Sequence, residues 1–143
     1  MTADTPQRPP QRPLPTPIDR TQPFWDGLRE RQVRIQYSPS SDRWVFYPRS
    51  HAPLTLADDL EWRDISGEGT LYTYTIARRP TAPDFAGDEP QIIAVVELDE
   101  GPRLTSTLVN VNEGEIEVGM RLRPVFEDVP ETETTLLRYE PAP

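Results

Sequence analysis

The sequence predicts an all-β domain organised as a small closed or partly open barrel. Three observations carry this. From Leu60 onward, short apolar segments of strand length succeed one another, separated by Gly, Pro and acidic turn signals. Several of them alternate apolar with polar residues, the period of a half-buried strand. One of them, "MRLRPVFEDV", carries Pro124 in its middle, which fits a barrel edge or bulge better than a central strand.

The elements follow in order. Residues 1–19 are crowded with prolines and hold almost no large apolar group, so they cannot bury enough surface to offset ordering. This stretch is expected to be a disordered or extended arm. "DRTQPFWDGLRERQ" then predicts a short amphipathic helix, with Thr21 as N-cap, Pro23 in the tolerant first turn, and Phe24, Trp25 and Leu28 on one face. "VRIQYS" alternates Val33, Ile35 and Tyr37 against Arg34 and Gln36, and after the turn "SPSSD" a second short strand runs from Trp44 to Tyr47. Together these read as a hairpin. The strands "LEWRDIS", "TLYTYTIAR", "QIIAVVEL", "RLTSTLVNV", "MRLRPVFEDV" and "TLLRYEP" complete the chain. The division expected is 1–19 arm, 20–59 helix and hairpin, 60–143 barrel.

Composition narrows the function. The net charge of -9 repels phosphate backbones, and nucleic-acid binders usually concentrate positive charge, so no nucleic-acid partner is expected. All fifteen basic residues are Arg, which removes Schiff-base chemistry and any lysine-dependent phosphate loop. Without Cys there is no disulfide, thiolate nucleophile or thiolate-bound metal. No segment has the apolar length of a signal core or a membrane span, so a soluble cytoplasmic protein is expected.

The hairpin holds an unusual spacing. Ser38 and Ser41 are separated by two residues, Ala52 and Thr55 by two more, and ten lie between the pairs. That is the layout of a four-cysteine zinc ribbon in a chain that has no cysteine.

With the segments "PFWDGLRE", "SGEGTLYTYT", "VELDEGPRL" and "VGMRLRPVFEDV" in the same order, the chain from about Arg20 to Tyr139 resembles the domain-of-unknown-function 35 family. The resemblance implies a rubredoxin-like ribbon joined to a five-stranded OB-fold barrel. It implies a non-catalytic partner subunit in a hetero-oligomer with a thiolase-superfamily protein: a thiolase, an acyltransferase, or a lipid-transfer-like aldolase of steroid side-chain breakdown. Such a subunit helps to enclose the acyl-CoA, and the chemistry belongs to the partner.

The family's four cysteines map onto Ser38, Ser41, Ala52 and Thr55. Ala52 offers no donor, neutral hydroxyls are poor zinc ligands, and His51 and Asp42 do not complete a set, so no zinc is expected. A ribbon without metal needs another source of stability. Trp44, Phe46 and Tyr47, with Tyr37, Pro48 and Pro53, are expected to supply it as a cluster, each buried aromatic contributing about 1.5–3 kcal/mol.

His51, the only histidine, is expected to be a surface or packing residue rather than a base. The pairs Asp58–Asp59, Asp99–Glu100 and Glu127–Asp128 point to opposite faces and are expected to be solvated turns. Ser66-Gly67-Glu68-Gly69 lacks the spacing and Lys of a phosphate loop, and reads as a turn. Arg78 and Arg79 could meet a CoA phosphate, or pair with Asp84, Asp88 or Glu89. Phe24, Trp25, Trp44 and Phe46 are the candidate partner interface. The rival functions are a stand-alone OB-fold binder of ligand or single-stranded nucleic acid, and a small enzyme acting on acyl-CoA.

Overall fold

The computed structural model describes residues 12–80, 82–87 and 90–143. The described residues form one α-helix, α1 (Gln22–Arg29), and eight strands. β1 (Val33–Ser38), β2 (Arg43–Val45) and β3 (Glu61–Ile65) form a sheet in the order β2-β1-β3. β4 (Gly69–Ala77), β5 (Gln91–Leu98), β6 (Arg103–Leu108), β7 (Arg121–Asp128) and β8 (Thr135–Pro141) close into a barrel in the order β4-β5-β6-β8-β7.

β5 shows why the barrel forms. Its residues alternate strictly, with Ile92, Ala94, Val96 and Leu98 buried and the residues between them half-buried. It pairs antiparallel with β4 on one side and with β6 on the other. Leu71, Leu104, Leu108, Leu122 and Tyr139 enter the same core from the other four strands. Tyr139 is fully buried, and its hydroxyl donates to the carbonyl of Gly67 at 2.7 Å. Burial pushes its phenol well above the ordinary range, with the nearby Glu100 adding to the effect.

Pro124 faces Tyr139 across the β7–β8 ladder. On its other side β7 touches β4 only at Arg121 and Leu122, so the missing amide at Pro124 falls where that edge is already unpaired. Tyr72 lies in a β4 bulge, the register shifting between Leu71 and Thr73, and the Arg103 guanidinium sits 3.7 Å from its ring centre.

Two glycines set the junction between sheet and barrel. Gly67 has φ +76°, and a Cβ there would lie 2.5 Å from Val33 Cγ2 and 3.1 Å from Pro124 Cγ. A Cβ on Gly69 would lie 2.4 Å from the Glu97 carbonyl oxygen. The Ser66–Gly69 turn is therefore a packing device that lets β1 and β5 approach, as its plainer reading holds.

The expected elements differ from the observed ones in three places. The strand expected over Trp44–Tyr47 is Arg43–Val45, and Phe46 and Tyr47 turn outward from the sheet's end. "LEWRDIS", counted with the barrel by its position in the sequence, pairs along its length with β1, Val33 opposite Ile65 through Tyr37 opposite Glu61. Thr21 precedes the helix, but its hydroxyl bonds to Ile18 rather than capping: it accepts from Ile18 N and faces Ile18 O. Of the arm, residues 1–11 lie outside the described residues. Pro15 and Pro17 line a cleft with Trp25, Arg29 and Thr135, so this part of the arm rests on the fold itself.

Candidate interaction groove and the ribbon knuckles

Of the four positions that the resemblance likens to zinc ligands, Ser38, Ser41 and Thr55 are linked by hydrogen bonds. Ser38, on β1, is fully buried, and its hydroxyl donates to Asp59 Oδ1 at 2.7 Å. Ser41 Oγ lies 3.0 Å from Ser38 Oγ and 2.8 Å from Thr55 Oγ1. Ser40 N donates to Asp59 Oδ2 at 2.8 Å. Three hydroxyls and one carboxylate thus bridge two loops, 38–41 and 52–57. The bonds from Ser40 and Ser38 hold the Asp59 carboxyl down at about 2, below the usual carboxylate range.

Ala52, the position with no donor, is fully buried, its amide donating to Ala57 O and its carbonyl accepting from Leu56 N. Leu54 and Leu56 sit at φ +71° and +59° and are among the most exposed large apolar residues of the chain. Among the described residues no three His, Cys, Asp or Glu side chains group as metal ligands. His51 is exposed.

The aromatics expected to form one buried cluster fall into two groups, with Tyr37, Trp44 and Phe46 half-buried and Tyr47 exposed. Tyr37 and Trp44 pack at 4.8 Å between ring centres, with the Arg63 guanidinium 4.0 Å from the Tyr37 ring centre. The Tyr37 hydroxyl donates to Asp42, which raises the phenol. Phe46 packs on Phe24 at 5.6 Å and edge-on against Tyr47 at 5.5 Å. The second group joins α1 to the segment that follows β2.

The four expected interface residues therefore divide. Phe24 is buried, holding α1 down, while Trp25 and Phe46 are half-buried. These three line a groove of about 490 Å³ together with Leu28, Tyr47, β6 residues Arg103–Ser106 and β8 residues Leu136–Arg138. Trp44 faces a different cleft, shared with Arg43, Arg49, Pro53 and Glu100. The groove's floor came from two strands far apart in sequence, and no local motif in β6 or β8 signals it. Asp59, expected with Asp58 in a solvated turn, is bonded instead to partners about twenty residues upstream.

Arg78 bonds Glu113 at 3.1 Å, a partner outside the acidic loop at 80–90 that suggested Asp84, Asp88 or Glu89. Asp88 and Glu89 lie outside the described residues. Arg79 is exposed. Of the other carboxylate pairs, Glu127–Asp128 ends β7 where a turn was expected, Glu127 bonding Arg138 and Asp128 bonding Arg31 and Thr135, while Asp99, in the turn after β5, bonds Arg121. Asp99 and Asp128 are held low by their arginines, Asp128 to about 2. Glu100 keeps one buried carboxylate oxygen without a partner.

A family model described as the C-terminal OB-fold domain of ChsH2 matches residues 62–127. A DUF35 domain-containing scaffold protein of Methanocaldococcus jannaschii is 30% identical over 75% of this chain and 77% of its own length. A probable enoyl-CoA hydratase alpha subunit of Thermomonospora curvata is 34% identical over 99% of this chain, which spans only 44% of that protein. In the solved Ltp2-ChsH2(DUF35) aldolase, one chain superposes with a TM-score of 0.78 at 26% identity, covering 90% of this chain and 98% of that one. With an OB barrel, a ribbon sheet that keeps its knuckles, and a scaffold relative matched over most of its length, the chain belongs to the DUF35 family.

Proposed function

We propose that the chain is a non-catalytic accessory subunit of a thiolase-superfamily acyl-CoA enzyme, of the lipid-transfer-like aldolase kind, and that it helps to form and stabilise that enzyme's acyl-CoA site. One observation carries the reading: nearly the whole chain superposes on nearly the whole of a chain from a complex named as an Ltp2-ChsH2(DUF35) aldolase. The groove supports it. Trp25, Phe46 and Tyr47 offer aromatic area at a surface, and such anchors dominate protein interfaces. The acidic members of the candidate pairs are tied to arginines and hydroxyls, which suits a scaffold better than acid–base chemistry.

Contact with the CoA itself is a finer part of the proposal. It falls to Arg79, exposed at the end of β4, and to Arg78, whose bond to Glu113 a phosphate must displace. Co-expression with a thiolase-like protein encoded beside it tests the main reading. Stable co-purification, with tighter acyl-CoA binding by the complex than by either chain, is the expected result. Failure to co-purify with any such protein, or turnover of acyl-CoA by the isolated chain, overturns it.

A further inference from the structure

The barrel is closed along one seam by a single backbone rung. β6 pairs with β5 from Arg103 to Leu108, and β8 pairs with β7 from Thr135 to Pro141. β6 and β8, however, pair only at Leu108 and Tyr139. Val109 N donates to Tyr139 O, and strand alternation then turns the backbone groups of Thr107, Thr105 and Arg103 toward β8 as well. Above the rung, side chains span the gap: the Ser106 hydroxyl donates to the Leu137 carbonyl at 2.8 Å, and Arg138 reaches the Thr107 hydroxyl at 3.4 Å. A hydroxyl stands where a parallel ladder would place an amide.

This open part of the seam is the floor of the groove under α1 and Phe46–Tyr47. Its volume is that of an ordinary binding pocket, about 300–1,000 Å³. Strand edges with free N–H and C=O groups are satisfied by another extended backbone, and apolar walls then select alternate side chains of that backbone. The charge of the lining is selective too. On a chain of net charge -9, both charged residues lining the groove are arginines, Arg103 and Arg138, each already presented on a carboxylate, Glu97 and Glu127.

We propose that the β6–β8 seam receives an extended segment of a partner protein, apolar at alternate positions and bearing a carboxylate, which adds as a strand along the β6 edge. The identity of the partner as a thiolase-superfamily subunit rests on the reading above; the seam's chemistry does not.

The test pans a phage-displayed library of random linear peptides against the full chain, then measures the selected peptides against two variants. Thr105→Pro removes an amide that faces the seam while leaving the ladder to β5 in place, and Tyr47→Asp places a carboxylate on the groove wall at a half-exposed position. Circular dichroism checks that both fold. The expected result is enrichment of alternating apolar peptides with acidic residues, amide shifts at Thr105, Thr107 and Leu137, and about ten-fold weaker binding to each variant. Val118→Asp, exposed and outside the groove, should bind as wild type. Failure to enrich such peptides, or equal binding to the folded variants, overturns the seam assignment. Co-expression separates the two readings. Peptide capture without a co-purifying thiolase-superfamily protein sinks the accessory-subunit reading alone, and a partner that co-purifies equally with both variants sinks the seam alone.

Discussion

The ribbon sheet and the barrel are held by different physics within one short chain. The barrel has five strands, long ladders from β4 through β5 to β6 and between β7 and β8, and a core in which Ala94, Val96, Leu122 and Tyr139 are sealed from water. The ribbon has three strands, one of them only three residues long, and the buried apolar residues of its far end, Val45 and Ala52, stand apart from the barrel's core cluster. What organises that end is a set of small hydroxyls around one carboxylate, flanked by stacked rings. A metal normally supplies folding free energy at such a place. The comparison teaches that a hydrogen-bonded cluster can keep two knuckles together when the apolar face of the same sheet, through Val33, Ile35 and Ile65, already joins a neighbouring core.

The largest effect that would sharpen this contrast is in the barrel. Leu122→Ala removes a fully buried side chain and should cost about 2–5 kcal/mol, read by denaturant unfolding. A loss as small as that of a surface change would mean the barrel is not the stable unit. Next comes the junction. Tyr139→Phe leaves the Gly67 carbonyl without its buried donor, for an expected loss of about 1–3 kcal/mol.

In the ribbon, Ser38→Ala removes the hydroxyl that links Asp59 to the knuckles and should cost about 1 kcal/mol. The change should appear first in tryptophan fluorescence from Trp44, with the barrel's strands keeping their amide protection. Adding a chelator should leave the melting temperature unchanged, and stoichiometric zinc found by mass spectrometry would refute the hydroxyl account.

Acid offers a finer probe. The Asp59 carboxyl is depressed to about 2 in the folded state by the bonds from Ser40 and Ser38, below the usual carboxylate range. Its contribution to stability is therefore complete above about pH 4 and is lost as pH falls through about 2. Asp128, also held to about 2, by Arg31 and Thr135, loses its share in the same window. Asp59→Asn should flatten the acid response of the ribbon fluorescence and leave that of the α1–β7 contact. An unchanged response in Asp59→Asn would place the acid sensitivity elsewhere. Smallest of all, Arg78→Ala breaks an exposed ion pair with Glu113 and should change stability by about 0–1 kcal/mol.

Strand positions were legible because they are local. The limits of Val33–Ser38, the apolar run of Gln91–Leu98 and the limits of Thr135–Pro141 sit where alternation and turn residues place them, although the expected alternation in the first breaks after Ile35, Gln36 being buried and Tyr37 half-buried. Pro124 announced its unpaired edge by lacking an amide. The ribbon spacing at Ser38, Ser41, Ala52 and Thr55 was equally readable, since it depends on counting alone.

The rest depended on residues that meet only after folding. Nothing near Asp59 says that its oxygens reach Ser38 and Ser40, and nothing near Glu113 says that it takes Arg78. "LEWRDIS" carries strand propensity but not the choice between β1 and the barrel, which is a matter of cross-strand register. Phe24 and Trp25 are neighbours in sequence and both line the groove, yet Phe24 is buried, with Phe46 packed on its ring, and Trp25 is half-buried. Periodicity is a property of a segment and can be read from it. Contact between segments is a property of how the barrel closes, and the open seam between β6 and β8 exists only once it has.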